Sequence, residues 1–139
     1  MVDQNCAYCM EGELVAKFGI KICELETSKV YLFKEQSHPG RCIVAHKKHV
    51  GDMNELTAEG RAAYFEDVAR VARAIMKAFN PDKVNYGAYG DTGHHLHFHL
   101  CPKYKDEYEW GGVFLMNPDK KYLTDEEYAD MIEKIKANL

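Results

Sequence analysis

Three histidines alternate with apolar residues in one short segment, which reads His95-Leu96-His97-Phe98-His99-Leu100-Cys101. Successive side chains of a β-strand point to opposite faces, so the imidazoles are expected to share one face while the apolar side chains enter the core. Imidazole can act as a nucleophile, an acid, a base or a metal ligand near neutral pH. The pattern therefore predicts a reaction centre, in preference to a solvated strand face or an affinity tag, which would be terminal and continuous.

A second candidate site is the Cys6-x-x-Cys9 pair near the N-terminus. Two thiolates at this spacing can chelate one tetrahedral zinc ion. A thioredoxin-type redox pair is the alternative, but no predicted strand precedes these cysteines. Histidine ligands would have to come from elsewhere, and the candidates are His46, His49, His94 and His95. The remaining cysteines lie in apolar strand-like segments and are predicted to be reduced core residues, namely Cys23, Cys42 and Cys101.

The composition is typical of a globular protein and gives no sign of nucleic-acid or membrane binding. The chain has 139 residues, 46% of them hydrophobic, and a formal net charge of -4. Its lysines and arginines are scattered, so any phosphate ligand should meet a local site and not a basic surface. No apolar segment reaches membrane-spanning length and no signal-peptide pattern opens the chain, so a cytoplasmic location is expected.

The elements that must position these residues are predicted to form one α+β domain over residues 1–139, with a core at about 5–105 and a C-terminal loop and helix at 106–139. Strands are predicted over 21–25, 29–33, 41–46, 84–88 and 95–101. Thr57 is a predicted N-cap for a long helix that Asn80-Pro81 ends, and Thr124 with Glu127 forms a capping box for a last helix. An antiparallel β-sheet with the long helix packed on one face accounts for this order.

These motifs resemble those of the histidine-triad (HIT) superfamily of nucleotide hydrolases and transferases. The signature of that family is His-φ-His-φ-His-φ-φ, where φ is apolar, and residues 95–101 match every position. Residues 40–50 resemble the family's glycine, apolar strand and Lys-x-His segment, and Asn85-Tyr86-Gly87 resembles its asparagine-bearing strand. The Cys-x-x-Cys pair occurs in the zinc-containing branch. The resemblance implies a HIT-like fold and a small nucleotide as the binding partner.

The resemblance also implies a reaction. His97 would attack the α-phosphorus of a purine nucleotide conjugate, such as a dinucleoside polyphosphate or a nucleoside phosphoramidate, and form a nucleotidyl-histidine intermediate. A backbone carbonyl on the strand would accept the other ring proton of His97 and leave the attacking nitrogen bare. His99 would donate a hydrogen bond to the phosphate or the leaving group, and Asn85 would orient the phosphate.

Two other functions are compatible with the same residues. One is a noncatalytic nucleotide- or zinc-binding protein that keeps the scaffold. The other is a metal-dependent hydrolase whose metal is held by the three alternating histidines, although no carboxylate partner for such a metal is evident.

For the metal, the resemblance implies a structural zinc site formed by Cys6, Cys9, His49 and His95. Four protein ligands close the coordination shell, whereas a catalytic zinc ion needs an open position. His94 competes with its neighbour His95 for this role, but it would point to the opposite face of the strand. A homodimer is also implied, because many members of the family are twofold dimers.

Several positions depart from the family's pattern and leave their roles open. Glu35 or Gln36 is left to bind the ribose, and Thr92 could supply a hydroxyl donor in the loop before the histidines. Arg41 could contact phosphate or be a solvated charge at the end of a strand. The predicted base pocket draws on Ile22, Tyr31 and Phe33, and the aromatic segment around Trp110 could cover the site or a subunit interface.

Overall fold

A five-stranded antiparallel sheet organises the chain in the computed structural model, which describes residues 3–139. Its order is β1-β2-β3-β5-β4, so the strand that carries the alternating histidines lies inside the sheet, between β3 and the edge strand β4. The strands are β1 (Gly19–Glu24), β2 (Ser28–Phe33), β3 (Cys42–His46), β4 (Lys83–Gly87) and β5 (His97–Lys103). The predicted α+β fold with an antiparallel sheet is confirmed.

Four α-helices accompany the sheet, and they are α1 (Ala7–Met10), α2 (Glu13–Ala16), α3 (Ala58–Phe79) and α4 (Asp125–Ala137). A short 3-10 helix (Met53–Glu55) precedes α3. Thr57 caps α3 by accepting a hydrogen bond from the Gly60 amide, and Thr124 with Glu127 forms the predicted capping box of α4. Within residues 3–139, no helix is long and apolar enough to cross a membrane.

The two faces of the sheet are covered by two different hydrophobic clusters. On one face, α3 and α4 pack over the main hydrophobic core, which Leu96 and Leu100 join and against which Phe98 packs. On the other face a smaller apolar cluster, which includes Tyr8, Phe33 and Ile43, lies under the N-terminal helices. This second face carries the imidazoles of β5, as the alternation of the sequence predicts.

The predicted strand ends differ from the observed ones by one or two residues. The difference that bears most on the site is that β5 begins at His97, because residues 91–93 and 95 form bends. The chain is nevertheless already paired one residue earlier, since the Leu96 carbonyl accepts from the His46 amide and the Leu96 amide donates to the Val50 carbonyl. The alternation of side chains therefore extends back to His95.

The irregular segment from residue 104 to residue 123 is fastened to the sheet by buried polar groups. The Glu35 carboxylate accepts hydrogen bonds from the Lys120 and Lys121 amides. The ammonium group of Lys103, itself buried, donates to the carbonyl oxygens of Glu109 and Gly112. These contacts hold the segment across the same face of the sheet as the histidines.

Two glycines with positive φ allow a test of the turn that precedes β3. Gly40 has φ +94° and a Cβ added there would lie 2.6 Å from Cδ2 of Phe79, whereas Gly111 has φ +90° and nothing within 4 Å. Alanine is strained by the backbone at both positions, but only at Gly40 does it meet a clash. We expect Gly40→Ala to lower the free energy of unfolding by about 1–3 kcal/mol more than Gly111→Ala, measured by urea denaturation. Equal losses would contradict this packing.

Candidate active site and metal centre

The imidazoles of β5 open into a cavity of about 590 Å³ between the sheet and the segments that cover its second face. Its walls come from the N-terminal segment, the end of β2, the loop before β5 and the C-terminal segment. Beside the histidines, the lining includes Tyr8, Phe18, Phe33, Tyr89, Thr92, Gly93, Asn117 and Tyr122. A cavity of this volume, apolar with a few convergent polar groups, suits a small organic ligand.

His97 lies on the cavity wall with one ring nitrogen already engaged. Its Nδ1 is 2.6 Å from the carbonyl oxygen of His95. A carbonyl can only accept, so Nδ1 carries the proton and the lone pair of Nε2 is free. Burial lowers the pKa of His97, which keeps the imidazole neutral at neutral pH. The Tyr8 ring packs on it with a centroid distance of 4.9 Å.

His99 lies beside His97, with ring centroids 5.5 Å apart. Its Nδ1 is 3.1 Å from Nη2 of Arg41, and its ring meets Phe33 edge-on at 5.4 Å. Burial and, secondarily, the Arg41 charge lower the pKa of His99 to about 3. The histidine is therefore neutral throughout the pH range in which proteins normally work.

Cys6, Cys9, His49 and His95 converge on one point, as the family resemblance implies. Nδ1 of His95 lies 3.3 Å from Sγ of Cys6 and 3.1 Å from Nδ1 of His49, and Sγ of Cys9 lies 3.2 Å from Nδ1 of His49. A tetrahedral zinc ion, with bonds of about 2.3 Å to sulfur and about 2.0 Å to nitrogen, separates its ligand atoms by about 3.3 to 3.8 Å. The cluster thus has the donor set and nearly the dimensions of a closed zinc site.

A hydrogen bond behind this cluster orients one ligand. Nε2 of His95 is 2.6 Å from the His46 carbonyl oxygen, so Nε2 donates and the Nδ1 lone pair is directed at the cysteines and His49. The residues present therefore fit a thiophilic cation.

Neither of the two other candidate ligands, His46 and His94, belongs to the cluster. His94 packs on Gly51, where an added Cβ would come within 2.4 Å of its ring. His46 uses its Nδ1 to accept from the Lys48 amide. Among residues 3–139, only one of the three alternating histidines belongs to a potential metal cluster. This arrangement favours His95 over His94 and does not supply the three-histidine metal site of the alternative hydrolase.

Two of the predicted nucleotide contacts, Asn85 and Gln36, do not line the cavity in the structure. Asn85 pairs with Cys101, whereas Gly87 pairs with His99, so the asparagine lies two residues, about 7 Å, farther along the sheet. It lines a separate cavity of about 350 Å³ near Trp110. Gln36 is fully buried, and its amide donates to the carbonyl oxygens of Phe33 and Arg41 while accepting from the Gly40 amide. Its polar atoms are thus used to close the turn.

The other open positions are distributed on and off the cavity. Thr92 and Phe33 line it. Arg41 does not, because its side chain is fully buried behind His99. Glu35 borders the cavity, but its carboxylate accepts from the backbone amides of Ser37, Lys120 and Lys121. Tyr31 is buried, and its hydroxyl donates a hydrogen bond to the Glu11 carboxylate. Ile22 faces the core on the opposite side of the sheet.

Several cavity residues escaped sequence analysis. Phe18 and Asn117 belong to loops whose approach to the histidines depends on the fold. Tyr8 could have been found, because it lies between the two cysteines. Once the Cys-x-x-Cys pair is placed against His95, the intervening residue has to lie next to the histidine strand, and Tyr8 contacts both His95 and His97.

Comparison with known proteins yields one family and several relatives. Residues 19–106 match the family of the HIT domain. Adenosine 5'-monophosphoramidase from Schizosaccharomyces pombe is 28% identical over 116 residues, which cover 77% of this chain and 80% of that protein. A histidine triad (HIT) protein from Sinorhizobium meliloti has the same fold, with a TM-score of 0.84, 24% identity, and coverage of 92% of this chain and 95% of the other. A zinc-bound histidine triad family protein from Mycobacterium smegmatis is similar at a TM-score of 0.65 and 21% identity, covering 95% and 94% of the two chains.

The low pKa of His99 makes a prediction for stability. His99 titrates near 6.5 when unfolded and at about 3 when folded, so between these values the unfolded chain binds a proton that the folded chain does not. The free energy of unfolding should therefore fall on acidification below about pH 6.5, by up to about 1.4 kcal/mol per pH unit from this group. In His99→Asn, whose Oδ1 can still accept from Arg41, this contribution should vanish.

The measurement is urea denaturation of both proteins between about pH 7 and pH 5. Groups common to the two proteins, including the cluster of Cys6, Cys9, His49 and His95, cancel in the difference. Identical pH slopes for the parent and His99→Asn would contradict the assigned pKa.

Proposed function

The chain belongs to the HIT domain family, and from that premise we propose that it is a nucleotide phosphohydrolase or nucleotidyl transferase that attacks the α-phosphate of a purine nucleotide conjugate. The observation that carries this proposal is the 2.6 Å contact between Nδ1 of His97 and the His95 carbonyl oxygen. It leaves the Nε2 lone pair of a neutral imidazole free on a residue that lines a ligand-sized cavity. Such a nitrogen is a nucleophile at neutral pH.

In the proposed reaction, the Nε2 lone pair forms a bond to the α-phosphorus while the bond from phosphorus to the leaving group breaks. The imidazole then carries a positive charge, which the His95 carbonyl stabilises through the retained Nδ1 proton. His99 donates a hydrogen bond to a phosphate oxygen or to the leaving group. Water, or another acceptor in a transferase, next displaces His97 and releases the nucleotide.

Two further observations support a nucleotide as the substrate. Phe18 and Phe33 offer an apolar wall for a base, and Thr92 offers a hydroxyl donor near the histidines. The relative from Schizosaccharomyces pombe is named as an adenosine 5'-monophosphoramidase, which supports a nucleoside phosphoramidate among the conjugates to be tested. Dinucleoside polyphosphates present the same α-phosphorus and belong in the same panel.

Replacement of His97 by alanine is the direct test. We expect AMP release from adenosine phosphoramidates or diadenosine polyphosphates by the parent, and a loss of several orders of magnitude in His97→Ala because the covalent step is removed. A substrate labelled at the α-phosphate should leave acid-labile nucleotide on the parent and none on the variant. Glu66→Ala, which changes an exposed residue of α3 outside the cavity, is the control and should turn over.

Nucleotide binding without turnover would contradict the proposal that the protein is an enzyme. If the parent and His97→Ala bind AMP equally and neither releases product from any conjugate in the panel, the protein is a nucleotide-binding module on the HIT scaffold. Turnover by His97→Ala at the parental rate would instead remove His97 as the nucleophile.

We also propose that the Cys6, Cys9, His49 and His95 cluster holds a structural zinc ion. The ion would tie the N-terminal segment to the histidine strand, and four protein ligands would leave it no open position for water. The support is the donor set and its spacing, together with the second hydrogen bond that orients His95. Tyr8, which lies between the two cysteines, would thereby be held against His97.

Removal of one thiol tests this site. Cys9→Ala should lose bound zinc, and its thermal midpoint should fall because metal binding energy contributes to folding. Cys23→Ala removes a half-buried cysteine outside the cluster and should keep one equivalent. Metal content after dialysis, measured by elemental analysis beside thermal denaturation, distinguishes the two variants. Equal zinc content in both would exclude the cluster as the site.

The homodimer and the cytoplasmic location remain predictions. For the dimer, the support is an exposed apolar surface at the β4 edge of the sheet and the neighbouring C-terminal segment. Tyr86 on β4 is exposed by 51%, and the C-terminal segment exposes Val113 and Leu115 by 81% and 55%. An edge strand with such neighbours is a suitable surface for a second copy of the chain.

A further inference from the structure

Arg41 is a fully buried cation, and no carboxylate among residues 3–139 forms an ion pair with it. Its guanidinium donates to the carbonyl oxygens of Leu115 and Met116 at 3.1 and 2.9 Å, and Nη2 lies 3.1 Å from Nδ1 of His99. Burial of a charge is costly unless the charge has a role or a partner, so this arrangement requires a physical explanation.

The contact between Arg41 and His99 determines where the imidazole proton lies. A guanidinium has only donors, so Nδ1 of His99 has to accept with its lone pair. The proton of the neutral ring is then on Nε2. In His97 the opposite holds, because Nδ1 faces the His95 carbonyl oxygen at 2.6 Å and carries the proton. Two neighbouring histidines on one face of a strand are thus held in opposite tautomers by partners of opposite character.

We propose that Arg41 is a positioning residue that holds His99 as the neutral tautomer with its proton on Nε2, so that His99 is a fixed hydrogen-bond donor beside the free Nε2 lone pair of His97. The use of this donor toward phosphate rests on the proposed function, but the tautomer itself does not. This role differs from direct phosphate binding, because Arg41 is separated from the cavity by the His99 ring.

The surroundings of Arg41 fix the guanidinium in this orientation. Its central carbon lies 4.2 Å from the Phe33 ring centroid and 4.9 Å from that of Phe114, so the cation is held between two aromatic faces. Its contacts with Leu115 and Met116 also anchor the C-terminal segment. The guanidinium charge lies directly behind the donor and favours an anion in front of it.

Few titratable groups face the His99 ring. Arg41, which precedes β3, and His97 on β5 are those that influence it. From the other elements, Phe33 of β2 and Phe114 of the C-terminal segment contribute aromatic rings, and the β4 residue opposite is Gly87. A second proton on His99 would place an N–H against the guanidinium. Without Arg41, the contact that keeps the single ring proton on Nε2 and off Nδ1 is lost.

Nitrogen-15 NMR of histidine-labelled, zinc-loaded protein tests the proposal without any need for turnover. The signals of His99 are identified by their absence in His99→Asn. In the parent we expect an unprotonated Nδ1 and a protonated Nε2 on His99 down to about pH 5. In Arg41→Met, which removes the donor, the neutral ring should no longer be held in one tautomer, so part of the population should carry its proton on Nδ1 and the two nitrogen shifts should move toward each other. Arg41→Lys should restore the parental pattern in part, and Arg70→Met, on the exposed face of α3, should leave it unchanged.

Kinetics provide a second measurement if the proposed reaction is found. Arg41→Met should lower kcat by about 100-fold, with a smaller change in KM, because a donor that is strengthened in the transition state is no longer fixed. A His99 ring in the parent with its proton on Nδ1 would overturn the proposal, as would parental nitrogen-15 shifts with parental pH dependence in Arg41→Met. If Arg41→Met does not fold, the nitrogen-15 spectra of the parent and of Arg41→Lys still test the tautomer of His99. Absence of turnover with the expected tautomer would count against the proposed reaction alone.

Discussion

The two-residue repeat of an extended strand is the constraint on which the site depends. Because alternate side chains of β5 point to opposite faces, the same residues that bury Leu96 and Leu100 in the main core present the histidines to the cavity. The core fixes the strand in place through apolar burial, which is non-directional but sensitive to register. A shift by one residue would bury imidazole under α3 and expose leucine, so stability and site geometry are protected by the same packing.

On this strand, the hydrogen-bond partner of each histidine determines which ring nitrogen carries the proton. Nε2 of His95 faces a carbonyl oxygen and its Nδ1 faces the metal cluster; Nδ1 of His97 faces a carbonyl oxygen; Nδ1 of His99 faces a guanidinium. Carbonyls require a proton on the nitrogen that they meet, and guanidinium groups exclude one. Three identical side chains on one strand face are therefore held in set tautomers, with the proton on Nε2 in His95 and His99 and on Nδ1 in His97.

The segments at the two ends of the chain complete the cavity and are tied to it differently. The N-terminal segment is joined through the cysteines, which bring Tyr8 against His95 and His97. The C-terminal segment is joined through buried hydrogen bonds to Glu35 and Arg41. A buried polar group that loses its hydrogen-bond partner destabilises the fold. These contacts therefore specify one position for segments that lack regular structure.

Sequence by itself determined the features that depend on short-range geometry. The alternation of faces, the caps at Thr57 and Thr124 and the chelating spacing of the cysteines follow from backbone periods of two and 3.6 residues. Only the tertiary structure decided which residue of β4 lies opposite His99, and that residue is Gly87, not Asn85. It also decided that Arg41 is buried and not solvated. Strand register and burial depend on pairing between segments that are far apart in the sequence. The local pattern of residues does not specify which segments pair or in which register.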